Sequence, residues 1–111
     1  MREISLNNRQ ITLDDEGYLL NLDDWSPDVA NYLADEENLT LTEPHWEVIQ
    51  VIRDFYHQYQ LSPAMRPLVK AVGIALGADK GKSIYLMKLF PKGPAKQVAK
   101  LAGLPKPTNC L

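Results

Sequence analysis

Thr42-Glu43-Pro44-His45-Trp46-Glu47-Val48-Ile49-Gln50-Val51-Ile52-Arg53-Asp54-Phe55-Tyr56-His57-Gln58-Tyr59-Gln60 is the stretch that decides the fold. Trp46, Ile49, Ile52, Arg53, Tyr56 and Tyr59 recur three or four residues apart, which is the period of one helix face. Pro44 stands in the opening turn, where a missing N–H costs nothing. This long amphipathic helix has an apolar face to bury, and the segments on either side must supply the cover.

Upstream, Arg2-Glu3-Ile4-Ser5-Leu6 and Gln10-Ile11-Thr12-Leu13 alternate apolar with polar around Asn7-Asn8-Arg9. That pattern predicts a β-hairpin. Asp15-Glu16-Gly17 is a second turn, and Tyr18-Leu19-Leu20 offers a short third strand. Ser26-Pro27-Asp28 reads as N-cap, N1 proline and first-turn acid of a helix running to about Glu37. Downstream, Ser62-Pro63 is expected to cap a third helix bearing Met65, Leu68, Val69, Val72 and Leu76. Gly77 and Gly81 mark a turn, and Ile84 to Phe90 form a fourth helix stopped by Pro91. Gly93-Pro94 starts a fifth, ending near Gly103 as its C′ glycine. The fold class is therefore α+β: a small N-terminal hairpin or meander on an array of about five helices. Residues 1–103 make one domain and 104–111 a flexible arm.

The chain has 111 residues, enough for one domain with a real core but no large internal cavity. Met1-Arg2-Glu3 opens with charge, and Ala71 to Ala78 is far too short for a membrane span. A soluble cytoplasmic protein is expected. Net charge is −2, unevenly spread. Residues 1–79 hold five basic against fourteen acidic residues, whereas residues 80–111 hold seven lysines and no acid. Such a block suits an acidic protein or nucleic-acid partner, and equally a solvated helix surface.

Gly81-Lys82-Ser83 is not a phosphate-binding loop, because the first glycine of that motif falls on Leu76 and no strand precedes it. His45 and His57 lack a second cysteine to complete a zinc set, and Asp14, Asp15 and Glu16 lack calcium-loop spacing. No metal or cofactor is expected. Residues 63–90 have the outline of a helix-turn-helix, but the second helix has no arginine to read bases.

One cysteine is present, Cys110, so no internal disulfide can form. It follows Leu104-Pro105-Lys106-Pro107-Thr108-Asn109, where two prolines bias the backbone to an extended form. Residue chemistry alone leaves two readings: a carrier arm with a thiol at its tip, or a loose tail with an incidental cysteine.

The sequence resembles the DsrC/TusE family over nearly its whole length. The likeness lies in Pro44-His45-Trp46-Glu47-Val48, Arg53-Asp54-Phe55-Tyr56, Ser62-Pro63-Ala64-Met65-Arg66, Leu68-Val69-Lys70, Leu89-Phe90-Pro91-Lys92-Gly93-Pro94-Ala95-Lys96-Gln97 and Ala102-Gly103 through Cys110-Leu111. The resemblance implies that Cys110 carries sulfur as a persulfide. DsrC proteins have a second cysteine where this chain has Ala99, so the likeness points to the TusE branch and excludes an internal disulfide or trisulfide. A glycine often precedes the family's terminal cysteine; here it is Asn109. By the same resemblance the protein is a sulfurtransferase in 2-thiolation of tRNA, turning over no small molecule by itself. A TusBCD-like complex would load it and a MnmA-like thiouridylase would unload it. Lys92, Lys96, Lys100, Lys106 and Arg66 are the expected docking residues. The alternative is a DsrC-like accessory of a sulfite reductase, or a nucleic-acid-binding regulator.

Overall fold

Alternation in the first thirteen residues produces a two-stranded antiparallel sheet, β1 (Arg2–Leu6) and β2 (Arg9–Leu13), with Ile4 opposite Ile11. The two-residue loop uses Asn7 and Asn8, at φ 53° and 64°, left-handed space that asparagine tolerates. Ile4, Ile11 and Leu13 turn inward. The computed structural model describes residues 1–108. The expected third strand is reduced to a single bridge, Leu13 to Leu19. Asp14 closes the turn before it, its carboxylate accepting from the Glu16 and Tyr18 amides at 2.9 Å.

Five helices follow: α1 (Pro27–Glu36), α2 (Glu43–Tyr59), α3 (Met65–Leu76), α4 (Ser83–Leu89) and α5 (Pro94–Leu101). The mixed α+β class is as the sequence implied. Ser26 caps α1 by accepting from the Val29 amide. Thr42 precedes α2 and donates its amide to Nδ1 of His45 at 3.0 Å. Nδ1 is thus an acceptor, which leaves Nε2–H to donate to the Leu89 carbonyl at 2.9 Å. His45 is buried and ties the start of α2 to the end of α4, a structural role. A single 3-10 turn at Leu22–Asp24, absent from the sequence reading, leads into Trp25.

Ser62-Pro63 does not cap α3; Ala64 occupies that position. The Ser62 hydroxyl is used elsewhere, as described below. The core joins Leu13, Leu33, Ile49, Ile52, Leu68, Val72, Leu86, Phe90, Val98 and Leu101, all essentially inaccessible to solvent. α5 packs against α1, α2, α3 and α4 and is buried over most of its surface, its small Ala95 and Ala99 letting neighbours come close.

The α3–α4 turn depends on contact between two glycine backbones. A Cβ on Gly81 would lie 2.4 Å from the Gly73 Cα, in the middle of α3. Gly81→Ala should therefore cost about 1–3 kcal/mol by overpacking. Chemical denaturation should show an earlier midpoint; an unchanged midpoint would mean that this contact yields freely.

Candidate functional site: the root of the C-terminal segment

The last turn of α5 is gripped from two sides. The Trp25 indole Nε1–H donates to the Leu101 carbonyl at 2.8 Å. Arg53, on α2, donates from Nη1 to the next carbonyl, Ala102, at 2.7 Å. Its guanidinium also lies over the Trp25 ring, 3.8 Å from the centroid. Burial pulls the Arg53 pKa below its usual value, and Asp54 only partly offsets this. An arginine so shifted is still charged at neutral pH.

Gly103 then reverses the chain at φ 74°. A Cβ there would fall 2.4 Å from the Trp25 ring, so both the conformation and the space call for glycine. Its amide bonds the Lys100 carbonyl, and the Leu104 amide bonds that of Ala99, closing the helix end.

Residues 104–108, the first part of the expected arm, lie against the domain. Leu104 is buried, as is Pro107. Ser62 Oγ donates to the Pro105 carbonyl at 2.5 Å, which is why that hydroxyl does not cap α3. Lys106 Nζ pairs with the Glu16 carboxylate at 2.9 Å. Thr108 is exposed. Cys110, like Asn109 and Leu111, lies outside the described residues.

The proposed docking cations do not form one group. Lys92, in the turn before α5, and Lys96, on α5, are exposed beside a cleft of about 410 Å³ that Glu16, Tyr18 and Glu37 also line. Lys100 faces the same cleft but is paired with Glu37 at 3.0 Å, and its ammonium sits 5.5 Å from the Tyr18 ring centroid. Arg66 is exposed in the first turn of α3, outside that cleft. Gln97, buried in α5, bridges the Lys92 amide and Glu37. Lys80, in the α3–α4 turn, is paired with Glu47 at 2.7 Å. Three lysines of the basic block thus answer acids of the N-terminal part. Among the described residues no cluster of ligating side chains could hold a metal ion, and no helix is long and apolar enough to cross a membrane.

Sequence reading missed Trp25, Ser62 as a tether, and the carboxylates of Glu16 and Glu37. The one visible signal was Arg53, a cation standing in the apolar stripe of α2.

A hairpin and five helices that together hold and display a C-terminal segment define a small α+β domain built around that segment. The chain belongs to the family described as DsrC like protein, whose model matches residues 5–111. It is 54% identical to the sulfurtransferase TusE homolog of Haemophilus influenzae, covering 97% of this chain and 99% of that one. Sulfurtransferase TusE of Escherichia coli is 50% identical, over 93% of this chain and 94% of its own. Among solved structures, Allochromatium vinosum DsrC is 53% identical with TM-score 0.90, covering 98% of this chain and 97% of that one. The oxidized γ-subunit of dissimilatory sulfite reductase from Archaeoglobus fulgidus, also DsrC, is 36% identical with TM-score 0.85, covering 99% and 100%.

If the Ser62 hydroxyl tethers the segment, Ser62→Ala should loosen residues 105–108 and leave the domain intact. The 15N heteronuclear NOE of Lys106 and Thr108 should fall, with stability reduced by no more than about 1.5 kcal/mol. Unchanged NOE values would show that burial of Leu104 and Pro107 alone holds the segment.

Proposed function

We infer that this chain is a sulfur-relay carrier, a sulfurtransferase whose working atom is the Cys110 thiol. The observation that carries the reading is the position of the only cysteine, three residues beyond a segment that the domain holds at its surface as far as Pro107. Near-full-length likeness to proteins named sulfurtransferase TusE supports it.

The chemistry is thiol exchange. The Cys110 thiolate attacks the outer sulfur of a donor persulfide, R–S–SH. The donor S–S bond breaks as the new Sγ–S bond forms, and the donor leaves as a thiolate that takes up the proton Cys110 gave away. Cys110–S–SH and R–SH result, with no net oxidation. Delivery repeats the step with an acceptor thiolate. A free cysteine titrates near 8.5, so activation falls mainly to the partner's site.

The partners proposed are a TusBCD-like donor and a MnmA-like thiouridylase acting on tRNA in the cytoplasm. Lys92 and Lys96 are the best placed of the proposed docking residues, since neither is in an ion pair among the described residues and both border the cleft reached by the Lys106–Glu16 pair. Lys100 and Lys106 would have to exchange their internal carboxylates for a partner's, and Arg66 would contact a partner only from the α3 side. The likeness to a sulfite reductase γ-subunit favours a second reading, an accessory of such an enzyme. Against it stands Ala99: the position at which DsrC proteins are expected to bear a second cysteine is a fully buried alanine.

Intact mass after incubation with a persulfide-loaded donor should rise by one sulfur, and the adduct should vanish in Cys110→Ser. An adduct that persists in the variant would remove this thiol from the role. A second test concerns docking: Lys92→Glu with Lys96→Glu should raise the KM for the donor or acceptor about tenfold at low salt, and the effect should shrink as salt screens the contact. Equal KM values would release these lysines from docking.

A further inference from the structure

Donors from two separate elements bind consecutive carbonyls at the end of α5. Trp25 follows the 3-10 turn and takes Leu101; Arg53 belongs to α2 and takes Ala102. The two donors also stack on each other, and Gly103 has no side chain to obstruct the indole. Residues 101–103 are therefore fixed in position and in direction before the C-terminal segment begins.

Simple capping of the helix would need less. Water or an exposed lysine satisfies terminal carbonyls well. Here a guanidinium is partly withdrawn from water and bonded to a carbonyl in place of a carboxylate, and its pKa falls accordingly. Stacking and one short charge-assisted bond compensate for that loss, and both need the planar arginine group. Beyond Gly103 the described contacts include one hydroxyl bond, one exposed ion pair and two buried side chains.

We propose that Trp25 and Arg53 are positioning residues for sulfur transfer, setting the direction in which the C-terminal segment leaves the domain and so where its thiol meets donor and acceptor. This rests on the carrier reading. Cys110 follows Gly103 by seven positions. Residues 104–108 run from that root along the domain, so a change of angle at the root shifts the seated segment that leads to the thiol. Displacements of about 1 Å are enough to slow a reaction that depends on alignment.

The test uses the full chain with Trp25→Phe, which keeps a ring but removes the Nε1–H, and Arg53→Lys, which keeps the charge but removes the plane. Four quantities are read: thermal midpoint, reaction of the thiol with a small disulfide reagent, amide exchange at Leu104, and saturation kinetics of sulfur uptake from a persulfide-loaded donor protein. The expected result is reagent rates within about twofold of the parent, faster Leu104 exchange, and kcat for uptake lowered about tenfold with KM little changed. Arg53→Lys should not rescue Arg53→Met.

Capping alone would give a lower midpoint and faster exchange with uptake unaltered, and that outcome overturns the proposal. Leu104 exchange unchanged in both variants would overturn it as well, since the root would then be fixed by something else. Should Arg53→Lys fold poorly, Trp25→Phe decides the question by the same readings. A parent chain that accepts no sulfur sinks the carrier reading and this inference together. A parent that accepts it, with both variants equally fast, sinks this inference alone.

Discussion

The hold of Trp25 and Arg53 on the last turn of α5 is the constraint on which the other features turn. α5 lies among the other four helices, so its end sits where the main elements meet. From there the chain must emerge at the surface, and Gly103 makes the reversal. The two donors come from a loop and from α2, elements far apart in sequence. The direction in which residues 104–108 leave α5 is therefore a property of the whole domain.

Charge follows the same plan. By sequence the molecule divides into an acidic stretch and a lysine block, as if one face were reserved for a partner. In three dimensions part of that asymmetry is satisfied internally: Lys80 with Glu47, Lys100 with Glu37, Lys106 with Glu16. The exposed one of these, Lys106 with Glu16, contributes little to stability. The interest of all three is that they lay the C-terminal part over the N-terminal part while leaving Lys92 and Lys96 toward solvent.

Much of the fold was legible because its signals are local. Asn7-Asn8 sets the hairpin, Ser26-Pro27 starts α1, and the apolar spacing from Trp46 onward fixes α2. Ser62 misled because a serine before a proline resembles a cap, whereas its partner, Pro105, is forty-three residues away. The third strand shrank to a bridge at Leu19 because the Asp14 turn satisfies the neighbouring amides with a side chain. For the site, the thiol is an expectation from composition and resemblance, and Cys110 lies outside the described residues. Trp25 was not legible, since nothing local distinguishes a clamp from a core aromatic. Arg53 stood out as a charge in an apolar stripe, but its purpose appears only when α5 lies beside it.

A carrier needs a reactive atom that others can reach and a base that does not wander. In the reading proposed above the two are separated by a few residues, with the chemistry left to partners and the geometry kept by the domain. Thiolated tRNA provides the most direct check. In a strain lacking this chain, 2-thiouridine should be depleted, restored by the parent gene and not by a Cys110→Ser copy of equal abundance. Full restoration by the serine copy would contradict the account.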